Sequence, residues 1–178
     1  RWVEETAADF LFAVKVSRYL THVKRLDEIE PNLAILYERI EPLLASSKLG
    51  PLLWQLPTTF KRDDERLAAA LEAFPREQRH AVEFRHESWF APDVMALLRG
   101  HNVALVIGDR PEVHAFQTRD LTADFTFVRF HAGTHGGNGN YSHHELGAWV
   151  RRLHEWSREV DVFAYFNKDW EGYAIENA

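Results

Sequence analysis

Two clusters of charged residues in this chain carry the types and spacing that chemistry needs. Glu83, Arg85 and His86 fall within the run VEFRH. A carboxylate beside a guanidinium and an imidazole can serve as a general base or grip a polar substrate. The same trio also suits an ion-paired layer inside a fold, because buried charges must be paired. Arg129 and His131 are two residues apart, so on a strand they share a face. Together they suit a phosphate or carboxylate, and His131 can carry a proton near neutral pH. The structural alternative is that Arg129 pairs with Glu83.

Other candidates surround these. Lys15 opens a basic run with Arg18, His22, Lys24 and Arg25. Lys15 is expected at the ligand, whereas Lys24 and Arg25 read as a solvated loop and helix start. Asp109 is a second acid or base, or forms a local turn with Arg110. Asn167 and Asp169, followed by Trp170, offer polar tips beside an aromatic wall, as a sugar or base ring requires. Asn and Asp are also common turn formers. The loop HAGTHGGNGNY, which ends at Tyr141, could nest an anion or close as a lid. The expected catalytic residues are therefore Glu83, His131 and Asp109. Lys15, Gln55, Arg85, His86, Arg129, Tyr141, Asn167 and Asp169 are expected to bind substrate. No cofactor is expected. Glu83, His131, Asp109 and Asp169 carry donors that suit zinc or manganese, but neighbouring arginines would repel a cation, so no metal is assigned.

The elements that must position these residues are short apolar runs. They cover Phe10 to Val14, Leu52 to Leu56, Ala81 to Phe84, Val103 to Ile107, Phe125 to Phe130 and Val160 to Phe166. Each runs into one or more of the candidates. Most intervening segments read as helices. Apolar spacing marks Ile29 to Leu44, where Pro42 should distort or end the helix. Asp63 can cap Asp64 to Ala73, and Pro92 suits the first turn of Asp93 to Arg99. Ser142 and Glu145 form a capping box for a helix to Glu159, with Leu146, Trp149, Val150, Leu153 and Trp156 as its buried stripe. Residues 110–124 show no clear helical pattern.

Strands alternating with helices predict parallel pairing. Neither G-x-G-x-x-G nor G-x-x-x-x-G-K-[ST] occurs, so open nucleotide-binding sheets lose their fingerprint. The expected fold is α/β: a single domain over 1–178, a TIM-type (β/α) barrel incomplete at about six of eight strands, with chemistry at the C-terminal strand ends. A net charge of -6 argues against nucleic-acid binding by bulk charge. With no cysteine, disulfides and thiolate metal sites are excluded. No run approaches a membrane span, and a cytoplasmic protein is expected. The start at Arg1, without an initiator Met, and the end at Ala178 lead to the expectation of a fragment.

The segments FAVKVSRYLTH, LGPLLWQLP, VEFRHESWF, FVRFHAG and YFNKDWEGYAIENA, with the Tyr141-Ser142 helix start, resemble the YecE-like family, domain of unknown function family 72. The resemblance runs the length of the chain in order. It implies a TIM-barrel fold and leaves activity open. The family's first two strands have no counterpart here, and its Asn-Asn-Asp reads Asn167-Lys168-Asp169. The first functional expectation is a barrel that binds a small anionic or sugar-phosphate ligand, with acid/base catalysis. A second is a nucleic-acid backbone binder or phosphodiesterase, drawing on the basic run and on Trp89 and Trp170 as exposed aromatics. A third is a non-catalytic barrel or interaction module. Oligomeric state is not legible.

Overall fold

The computed structural model describes residues 1–109, 118–131, 133, 135, 139–167 and 170–178. They divide into two compact units, Arg1–Val103 and Ala104–Ala178.

The first unit carries β1 (Phe12–Lys15), β2 (Leu49–Gln55) and β3 (His80–Glu83), all parallel, with helices α1 (Trp2–Glu5), α2 (Ile29–Ala45), α3 (Asp64–Ala73) and α4 (Pro92–Gly100). Lys15 lies beside Leu53, and Gln55 beside Glu83. Residues alternate between faces. Leu52, Trp54, His80 and Val82 share the helix-covered face, where Trp54 stacks on Phe74 at the end of α3. Lys15, Gln55 and Glu83 therefore share the opposite one. Asp63 caps α3 as expected, accepting the Arg66 N–H at 3.1 Å.

Three features of this unit depart from the sequence reading. Of the two outcomes read for Pro42, distorting the helix or ending it, the second does not occur: α2 continues to Ala45. Pro42 is exposed at this position, on the side of the helix away from the core residues Leu33, Leu36 and Ile40. Trp89 is not an exposed aromatic. It is fully buried, stacks on Phe84 at 4.7 Å and donates its indole N–H to the Phe60 carbonyl. Lys48, which carried no signal in the sequence, is buried. Its ammonium donates to the carbonyls of Val3 and Thr6 and to the Thr6 hydroxyl, fastening α1 beside β2.

The second unit carries parallel β4 (Ala104–Gly108), β5 (Phe125–Phe130) and β6 (Asp161–Phe166), with α5 (His143–Trp156) and α6 (Tyr173–Asn177). The capping box at Ser142 forms as expected. The helix ends at Trp156, three residues before the expected Glu159, with Ser157 as its cap. Ile107, Val128 and Phe130 face a cluster with Tyr141 and Trp156, against which Leu146, Trp149 and Leu153 pack. Val150 departs from the expected buried stripe: it is 61% exposed, on the rim of the helix face. Both units are α/β, as expected. No helix among the described residues is long and apolar enough to cross a membrane.

Candidate functional site

In the first unit the strand ends gather charge. Glu83 is buried at the end of β3 and accepts from Arg85 Nε at 2.7 Å. The pairing follows from strand alternation, which puts Arg85 on the same face two residues on. Arg85 is largely covered, with its side chain 18% exposed. A carboxylate this buried requires such a partner. Gln55 is also buried and lies beside Glu83 in the register of β2 and β3. Lys15 ends β1 on the same face and is exposed.

Beyond β1 the chain forms a π turn, Tyr19–Val23. It places His22 where burial, Arg18, Lys15 and Arg85 together hold the imidazole pKa below its ordinary value. His22 and Arg18 belonged to the basic run read after Lys15, but neither was assigned to the site. The available signal was the spacing of basic residues just past a strand. That signal does not separate them from Lys24 and Arg25, which do find local partners. Lys24 pairs with Glu28, and Arg25 lies over the Phe60 ring at 6.0 Å. His86 takes a local role as well. Its Nδ1 accepts from the Ser88 N–H and sits 2.9 Å from the Ser88 hydroxyl, capping a short 3-10 turn.

In the second unit the polar residues fasten backbone. Asp109 is buried and accepts the His131 N–H at 2.7 Å and the Tyr141 hydroxyl. It thereby holds both ends of the glycine loop. Gly133 is obligatory in that closure, because a Cβ there would lie 1.9 Å from the Asn140 carbonyl oxygen. Tyr141 is buried in the α5 cluster rather than presented to solvent. Arg129 reaches Asn167 Oδ1 from Nε at 3.0 Å and from Nη2 at 2.6 Å. Asn167 donates in turn to the Tyr165 carbonyl at 3.1 Å. The His131 ring is half-buried. Trp170 is 58% exposed, as expected. Asp169, together with Arg110 and Lys168, lies outside the described residues. Among the described residues, no three His, Asp or Glu side chains are grouped to hold a metal.

Parallel strands joined through helices define an α/β protein, with charged residues where several strands give way to loops. A family model described as "Protein of unknown function DUF72" matches residues 1–178, and the chain belongs to that family. It is similar to the UPF0759 protein YunF of Bacillus subtilis (strain 168), at 27% identity over 99% of this chain and 73% of that one. It is also similar to the UPF0759 protein YecE of Escherichia coli (strain K12), at 28% identity over 94% of this chain and 68% of that one. A solved DUF72 family protein from Thermotoga maritima MSB8 superposes with a TM-score of 0.84 and 29% identity, covering 98% of this chain and 73% of the other. Another, from Enterococcus faecalis V583, shares the fold at a TM-score of 0.83 and 24% identity, over 99% and 78%.

Proposed function

We propose that this chain is part of a TIM-type (β/α) barrel that binds a small anionic ligand of the sugar-phosphate kind at its C-terminal strand ends, in the cytoplasm. The observation that carries the reading is the buried Glu83–Arg85 pair, 2.7 Å apart, on the strand face that also bears Lys15 and Gln55. Arg85 neutralises Glu83. Lys15 on the same face and Arg18 just beyond β1 add positive charge, and this favours an anion. Glu83 is the group for proton abstraction, and Gln55 beside it is suited to a ligand hydroxyl. Asp109 is read as a fastening of the glycine loop rather than as an acid or base, and Tyr141 as its partner there rather than as a substrate contact, because each is engaged with the other.

Calorimetric titration with inorganic phosphate and a panel of sugar phosphates tests this. One compound should bind, and Lys15→Ala should weaken it about tenfold or more, the worth of one charge-assisted hydrogen bond. Absence of binding by every anion, or affinity indifferent to Lys15→Ala, would overturn the reading.

A further inference from the structure

Along β1 the Phe12 N–H donates to the Lys48 carbonyl at 2.8 Å and the Val16 N–H to the Leu53 carbonyl at 3.0 Å. Backbone groups alternate along a strand, so those of Ala13 turn to the opposite edge. Among the described residues, β2 is the only strand that pairs with β1. Beside this open edge, between α1 and α2, lies a cavity of about 720 Å³ lined by Trp2, Val3, Val14, Ile40 and Leu43. Val14 is level with Leu52 in the register, which places the cavity on the helix-covered face. Trp2 is 70% exposed although Lys48 fastens α1, and Phe10 and Leu11 are exposed at the entry to β1. An open strand edge beside apolar surface is a template for added chain. Arg39 also lines the cavity, and among the described residues no hydrogen bond or ion pair engages it.

Geometry decides the kind of occupant. A small ligand would fill the cavity and leave the edge open. The strands of this unit are all parallel, and a further parallel strand reaches its place through a crossover that packs on the covered face. A strand on the edge and a helix over the cavity therefore arrive together. This chain matches 73% of YunF and 73% of the Thermotoga protein, which leaves about a quarter of each unmatched, more than a strand–helix unit of about 30 residues takes. We infer that β1 and the cavity form a docking surface for a strand–helix segment of the kind held in that unmatched part. The strand adds parallel to β1, and the helix lays an apolar face over Trp2, Val14 and Ile40 and brings a carboxylate to Arg39. The inference rests on the part-barrel reading above and does not draw on the anion site.

The test mixes this chain, labelled for NMR, with the part of YunF that it does not match, made as a separate polypeptide. Expected are a one-to-one complex by light scattering, hydrogen exchange at the Ala13 amide slowed at least tenfold, and methyl shifts at Val14 and Ile40. Ala13→Pro removes the outward N–H without touching the bonds to β2, and Trp2→Ser removes an exposed side chain. Each should keep the circular dichroism of the parent and weaken the complex about tenfold, and Arg39→Glu should weaken it several-fold. No complex, unchanged exchange at Ala13, or affinity indifferent to Trp2→Ser would overturn the inference. So would a dimer of this chain that itself protects Ala13, or octanoate that fills the cavity while the segment stays free, since these give the surface to a second copy or to a small ligand. Phosphate titration of the same complex reads the anion site separately: a complex that binds no phosphate would overturn that site and leave the docking surface standing.

Discussion

The two units place similar residues at the ends of similar strands and use them differently. In the first, Glu83 and Arg85 engage each other, and Lys15 ends β1, two strands along, on the same face. In the second, Asp109 holds the His131 N–H and the Tyr141 hydroxyl, and Asn167 links Arg129 to the Tyr165 carbonyl. A charged residue after a strand thus marks a position, and its partners decide its role. Where the partners are backbone groups and a core tyrosine, the charge is structural. The proposed anion site lies where the partner is another charged side chain, as at Glu83 and Arg85.

The largest effect should come from the second unit's loop. Gly133→Ala pushes a Cβ against the Asn140 backbone and should cost about 2–4 kcal/mol, read from urea unfolding. A neutral result would show that Asp109 and Tyr141 do not hold the loop closed. Glu83→Gln removes the partner of a largely covered arginine and should cost about 2–3 kcal/mol, below the full value for a buried pair because Arg85 keeps some exposure. It should also tighten phosphate binding by removing the site's negative charge. Weaker phosphate binding would make Glu83 a ligand contact instead. Tyr141→Phe leaves Asp109 with one donor fewer and should cost about 2 kcal/mol with little effect on phosphate affinity.

Acidification probes the first unit's core. The Trp54 indole N–H donates to His80 Nδ1 at 3.0 Å, and His80 Nε2 sits 3.1 Å from the Tyr37 hydroxyl. Indole only donates, so Nδ1 accepts and the neutral ring is fully used. Burial pushes this imidazole down to about 3. Between pH 6.5 and about 3 the unfolded chain binds a proton that the folded one refuses, so stability falls as pH falls through that window. The slope approaches about 1.4 kcal/mol per pH unit well inside it, so the loss from pH 6.5 to 5.5 should be near 1 kcal/mol. His80→Phe should flatten this slope. The smallest effect is expected from Arg129→Ala, about 1 kcal/mol, since its hydrogen bonds to Asn167 lie at an exposed position.

The strand and helix pattern was legible because apolar runs and caps are local signals. The run Phe125 to Phe130 matches β5 at both ends, and Asp63 and Ser142 cap the helices they precede. Roles that depend on what lies across space were not legible. Trp89 follows Glu87 and Ser88 in sequence, yet Phe84 and Phe60 pack against it and it is buried. Asp109 gave no sign that Tyr141, thirty-two residues on, would engage it. Lys48 is buried because three oxygens of α1 and its cap converge on it, which no local pattern encodes. The Glu83–Arg85 pair was legible, because strand alternation alone puts the two side chains together.

The most direct test of the contrast between the units is a phosphate titration followed by backbone and side-chain NMR. The account predicts shifts that saturate together at Lys15, Arg18, His22 and Arg85, with Asp109 and Tyr141 nearly still. Saturating shifts centred on Asp109, His131 and Tyr141, with the first unit unmoved, would contradict it.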